Sequence, residues 1–298
     1  MHLPKSKAEW ETEFKYIYIY ILKKNKSYDG LSQINEQSLN KFKEEYTLDS
    51  NSIDFLPAYF NFIECSLAQN SDISSVKKYL IVGLTNLLNA TKKKEGQSAD
   101  YASGYYDREE VNKKLLKSRL DLLFARYNIQ TRNPEAIDKL TTSIITYSEI
   151  YGPENVGLTP QYYYLAEYFL DFTSKNEKEE RKQKAIVKNI YAKIAEIWKN
   201  YFIGNNNPLF LINDDEELIL AIGEAYVKLI STRIGNIFRD TEFELELKYK
   251  MIKVVILKRT NADIYEKALE NVMDLYKSRE EMILDKDYMN EIIEQMKN

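Results

Sequence analysis

At 298 residues, with 44% hydrophobic and 30% charged residues, 9 Gly and 6 Pro, the chain can bury a substantial core and reads as mostly helical, with little left for sheet turns. A net charge of −4 and a pI near 5.5 argue against a general nucleic-acid binder, which needs a basic field to displace counterions from phosphates, and leave room only for a local basic patch. The single cysteine, Cys65, excludes an intrachain disulfide, and an opening without an apolar run adds to the expectation of an intracellular protein.

In chain order, Glu9 to Lys24 contains the alternation Tyr16-Ile17-Tyr18-Ile19-Tyr20-Ile21. Alternation is a strand signal, but helical patterns dominate the chain, so a helix is expected. Ser27-Tyr28-Asp29-Gly30 makes a turn, and Ile34 to Tyr46 reads as a short polar helix. Ser52 to Lys94 gives a helix pair, with Phe60, Ile63 and Leu67 on the first helix and Val76, Leu80 and Gly83 on the second. Ser71-Asp72 and Ser74-Ser75 are suited to capping the second helix. Glu95 to Asp107 is polar, small and without a period, which predicts an irregular loop.

A second pair follows, with Leu120, Leu123, Phe124 and Tyr127 on one helix and Ala136, Leu140 and Ser143 on the next. Asn133-Pro134 breaks the chain between them, because the residue before a proline is pushed out of the helical region. Gly152-Pro153 stops the second helix and Thr159-Pro160 opens another. The third pair carries Tyr162, Leu165, Ala166 and Phe169, then Val187, Tyr191 and Ile194, with Trp198 continuing the packing face and expected to be buried. Its intervening mixed-sign run, Lys175 to Lys182, reads as a solvated loop or helix end. Beyond the Asn205 to Pro208 breaker, amphipathic helices are predicted around Glu216 to Phe238, Glu242 to Lys258, Ile264 to Met282 and Tyr288 to Met296.

These patterns predict an all-α fold of tetratricopeptide-repeat-like antiparallel helix pairs stacked in a right-handed superhelix. The expected organisation is an N-terminal helical segment over residues 1–50, repeats over 51–202 and a helical extension over 203–298. No stretch approaches the roughly 20 apolar residues that cross a bilayer, so no membrane association is expected. Catalytic motifs are not found. No glycine spacing forms a phosphate loop, and His2 is the only histidine, which leaves neither a His-based triad nor a His/Cys zinc site. Asp214 to Glu217 reads as a helix-start cluster favouring the dipole, and the many tyrosines as packing residues. The chain is expected to be no enzyme and to need no cofactor or metal.

Phe55-Leu56-Pro57-Ala58-Tyr59-Phe60, Glu135-Ala136-Ile137, Tyr151-Gly152-Pro153-Glu154-Asn155-Val156, Tyr162 to Glu167 and Tyr191-Ala192-Lys193-Ile194-Ala195-Glu196-Ile197-Trp198 follow one another in this chain. In order and spacing they resemble the ciliary zinc finger MYND domain-containing protein twelve family, over residues 52–202. The resemblance implies a tetratricopeptide protein of the ciliary axoneme. Its implied partners are the heavy chain of a single-headed inner-arm dynein, a second tetratricopeptide protein and proteins associated with the doublet microtubule. The family's zinc finger cannot form from Cys65 and His2 alone, so the likeness is to finger-less relatives.

An accessory subunit of this kind would bind partners along a concave face. The positions expected to be exposed there are Asn61, Cys65, Asp121, Asn128, Tyr163 and Glu167. The alternative is a soluble peptide-binding adaptor such as a chaperone cofactor. The positions for its carboxylate clamp hold Asn61, Cys65, Pro160 and Tyr164 rather than a basic set.

Overall fold

The computed structural model describes residues 56–68, 73–92, 108–171, 176–203, 216–238 and 242–297. Among these the fold is all-α, with no strand. The expected helices before residue 51, the loop over 95–107 and the breaker at Asn205 to Pro208 lie outside the described residues. Two compact units meet in sequence between Pro153 and Glu154.

The first unit contains α1 (Leu56–Ala68), α2 (Ile73–Lys92), α3 (Arg108–Gln130) and α4 (Ala136–Tyr151). Its two consecutive pairs are antiparallel. Across α3 and α4, Ser118 Oγ donates to the Ser143 carbonyl at 2.9 Å, while Lys139 reaches back to Asp121 at 2.9 Å, so one index falls as the other rises. Across α1 and α2, the Tyr59 hydroxyl donates to the Tyr79 carbonyl at 3.0 Å. A Cβ at Gly83 would stand 3.1 Å from Phe60 and 3.7 Å from Leu120, so glycine permits the close approach there. The first helices of the two pairs run parallel: the Pro57 carbonyl accepts from Arg119, 62 residues on, and the Leu67 carbonyl from Gln130, 63 residues on.

The break between α3 and α4 has a local cause. Arg132 takes φ 54°, and the Asn133 side chain accepts from Glu135 N–H at 3.0 Å, an Asx turn that leads directly into α4. At the other end of α4, Gly152 has φ 89° and ψ 156°, while its N–H donates to the Ser148 carbonyl. Only glycine adopts such a conformation without strain.

The second unit opens with a short 3₁₀ turn, Val156–Leu158. It continues through α5 (Thr159–Asp171), α6 (Glu177–Ile203), α7 (Glu216–Phe238), α8 (Phe243–Thr260), α9 (Ala262–Ser278) and α10 (Lys286–Lys297). Alternate helices again run parallel. Tyr163 and Glu167 of α5 meet Tyr226 and Arg233 of α7 in the same order. Lys188 and Phe202 of α6 meet Glu242 at the head of α8 and Arg259 near its end. From α8 to α10, Lys248 reaches Asp285 and Lys258 reaches the Gln295 carbonyl, each 37 residues on.

Centrality explains the sequence of α8. It packs on α6, α7, α9 and α10, so it buries residues on all sides, including Phe243, Leu247, Tyr249, Ile252 and the run Val254 to Leu257. Each large apolar side chain fully withdrawn from water contributes about 1.5–3 kcal/mol. The mixed-charge run before Lys184 forms the exposed first turns of α6. Asn176 caps it by accepting from Glu179 N–H at 3.0 Å, and Glu177–Arg181 and Glu180–Lys184 pair one turn apart.

Candidate partner-binding site

Among the described side chains, the expected concave-face residues do not form an exposed surface. Asn61 and Cys65 fall on α1, and their side chains lie outside the described part of the structure. Asp121 and Asn128 of α3 and Tyr163 and Glu167 of α5 are all buried, which corrects the expectation of exposure. The cause is a neighbouring helix in each unit. In the second unit Tyr226 and Arg233 of the parallel α7 reach Tyr163 and Glu167 of α5, and in the first unit Lys139 of the hairpin partner α4 reaches Asp121.

In the first unit, beside those positions, sequence reading misses a buried ion pair. Glu64 on α1 and Arg126 on α3 meet with both side chains essentially inaccessible. Removing two charges from water costs several kcal/mol each unless they compensate one another, so the pair fixes the register of α1 against α3 rather than adding much net stability. No local signal marks it, because the partners stand 62 residues apart in the chain.

In the second unit a polar seam joins α5, α6 and α7. Glu167 takes the Arg233 guanidinium at 2.5 Å, and the Tyr163 and Tyr226 rings lie 6.0 Å apart at 58°. Burial, then the neighbouring Glu167 and Tyr163, pushes the Tyr191 hydroxyl well above the ordinary tyrosine range. Burial works against the charge on Arg233, but the Glu167 carboxylate and Tyr163 outweigh it and raise its pKa. The result is a carboxylate held by a guanidinium among neutral phenols, a structural seam rather than a poised acid or base.

A depression of about 410 Å³ on α6 is lined by Glu177, Lys178, Arg181, Lys182 and Ala185, and its Glu177–Arg181 pair already satisfies part of its charge. Among the described residues no group of three His, Cys, Asp or Glu side chains is placed to hold a metal ion, and no helix is long and apolar enough to cross a membrane.

The outer side of α2 is different. Ile73, Ile81, Leu84 and Leu88 are 38, 49, 38 and 50% exposed. With Lys77 they recur at spacings of three and four, so they form one stripe. It runs beside the row Val76, Leu80, Gly83 and Leu87, which is buried against α1 and α3. The apolar surface of α2 is therefore wider than its neighbours cover.

The chain matches no family model, no curated protein and no solved structure. What the geometry offers is accordingly an open, apolar, helix-shaped surface in the first unit and a closed polar seam in the second.

Proposed function

We propose that this chain is a non-catalytic scaffold whose work is to hold other proteins. The observation that carries the reading is the uncovered apolar stripe of α2 at the side of a helix-pair stack, since contiguous exposed apolar surface marks interaction sites. Consecutive antiparallel pairs whose alternate helices run parallel also suit the finer reading, in which each unit is a segment of a tetratricopeptide-like right-handed superhelix. The interval of 37 residues from α8 to α10 is near the roughly 34-residue period of such repeats, and the wider earlier intervals go with longer helices and longer segments between them.

The resemblance in Phe55 to Phe60 and Tyr191 to Trp198 extends the proposal. The chain would act in the ciliary axoneme as an accessory subunit of a single-headed inner-arm dynein, helping to anchor it on the doublet microtubule together with a second tetratricopeptide protein. The chaperone-adaptor alternative is less well supported, because Pro160 and Tyr164, two of its clamp positions, are buried.

Purification of the endogenously tagged protein from detergent-extracted cilia tests the proposal. An inner-arm dynein heavy chain and a second tetratricopeptide protein are expected at near-stoichiometric amounts. Recovery of a different stable complex free of axonemal proteins would overturn the ciliary reading.

A further inference from the structure

We propose that the outer face of α2 docks an acidic amphipathic helix presented by a partner protein. The inference rests on the scaffold reading and names the chemistry of one partner. Apolar anchors at spacings of three and four match the ridges of another helix, whereas an extended strand presents side chains with a period of two.

The charge around the stripe selects the sign of the visitor. Lys77 lies within the stripe and Lys78 beside it, both exposed, and neither makes an ion pair among the described residues. From Ile73 to Lys92 there is no Asp or Glu. Elsewhere in the unit, by contrast, Lys114 pairs with Glu110 and Lys139 with Asp121. A helix carrying Asp or Glu beside its apolar row would neutralise the two free lysines, and a basic one would be repelled.

A lipid surface fits less well. Helices that lie on membranes carry Lys and Arg across the polar face, while α2 sets the single Lys78 among neutral Thr85, Asn86 and Asn89 there. A second copy of α2 would bring its own lysines to the contact, with no acid on that helix to meet them.

The test uses the full-length chain and two helical peptides with the same leucine row, one flanked by glutamates and one by lysines. Binding is followed by fluorescence anisotropy at low and high salt. The glutamate peptide is expected to bind at least about tenfold more tightly, with the difference shrinking as salt screens the exposed charges. Ile81→Glu and Leu88→Glu should each weaken binding about tenfold or more, because each removes an apolar anchor. Lys77→Glu with Lys78→Glu should invert the peptide preference. All four positions are exposed, and unchanged helical circular dichroism verifies that the variants fold.

A photo-crosslinking residue at Leu84 should attach to the glutamate peptide. Equal affinity for the two peptides, or indifference to Ile81→Glu, overturns the proposal. So do adducts at Leu84 only with the chain itself or a second copy, or binding to phosphatidylserine vesicles in place of the peptide. Intact co-purification of axonemal partners by an Ile81→Glu protein that has lost peptide binding would reject α2 as their site while leaving the scaffold reading standing. Peptide binding by a protein without axonemal partners would do the reverse.

Discussion

Gly223→Ala gives the sharpest test of the packing in the second unit. Trp198 is 1% exposed, and an added Cβ at Gly223 would stand 2.8 Å from its Cζ3, 3.0 Å from its Cη2 and 3.2 Å from Ile256 Cδ1. The obstruction is the edge of an indole packed against Tyr201 and Phe202, not the free end of a flexible side chain. Alanine in place of glycine favours a helix by about 1 kcal/mol, but overpacking costs about 1–3 kcal/mol. The substitution is therefore expected to destabilise by up to about 2 kcal/mol.

Trp198→Phe removes the obstructing atoms, along with an indole N–H that has no hydrogen-bond partner among the described residues, so part of its cavity cost is offset by the loss of an unsatisfied donor. In that background Gly223→Ala should become neutral or stabilising. Urea unfolding of the full-length wild type, the two single variants and the double variant measures the coupling. A Gly223→Ala protein stabilised by about 1 kcal/mol in the wild-type background would show that α6 and α7 are not in this contact. Trp198→Ala should cost on the order of 3–5 kcal/mol, and an unchanged midpoint with lost partner binding would make Trp198 an interface residue instead.

Arg126→Met should destabilise the first unit by about 3–5 kcal/mol by stranding the buried Glu64, and Glu64→Met added to it should restore most of the loss; denaturant midpoints that fall further in the double variant would refute the pairing. Gly152→Ala is expected to cost about 1–3 kcal/mol because φ 89° with ψ 156° strains any residue with a Cβ, and a thermal midpoint equal to wild type would contradict that backbone. Burial holds the Tyr147, Tyr249 and Tyr288 hydroxyls well above the ordinary tyrosine value of 10.0. Since the folded pKa is the higher one, their contribution is complete below about pH 10 and is lost as pH rises beyond it. Tyrosinate absorbance should thus show exposed residues titrating first and a later step coincident with loss of helical circular dichroism; a single smooth titration with the helices intact would refute the burial.

The chain's punctuation made many of the helices legible. Asn133-Pro134, Gly152-Pro153 and Thr159-Pro160 mark ends by restricting φ or removing an N–H, which are properties of the residues themselves, and α7 runs over the expected Glu216–Phe238. Periodicity likewise identified Val187, Tyr191, Ile194 and Trp198 as core, because a 3.6-residue period places them on one face whatever the neighbour. Which of several faces is covered depends on the neighbour. Tyr163 and Glu167 read as outward positions until α7 brings Tyr226 and Arg233 onto them, and Glu64 finds Arg126 only when α1 and α3 lie parallel. The α2 stripe belongs to the same class of fact: Ile81, Leu84 and Leu88 are apolar in the sequence, and only the tertiary packing decides that they stay exposed.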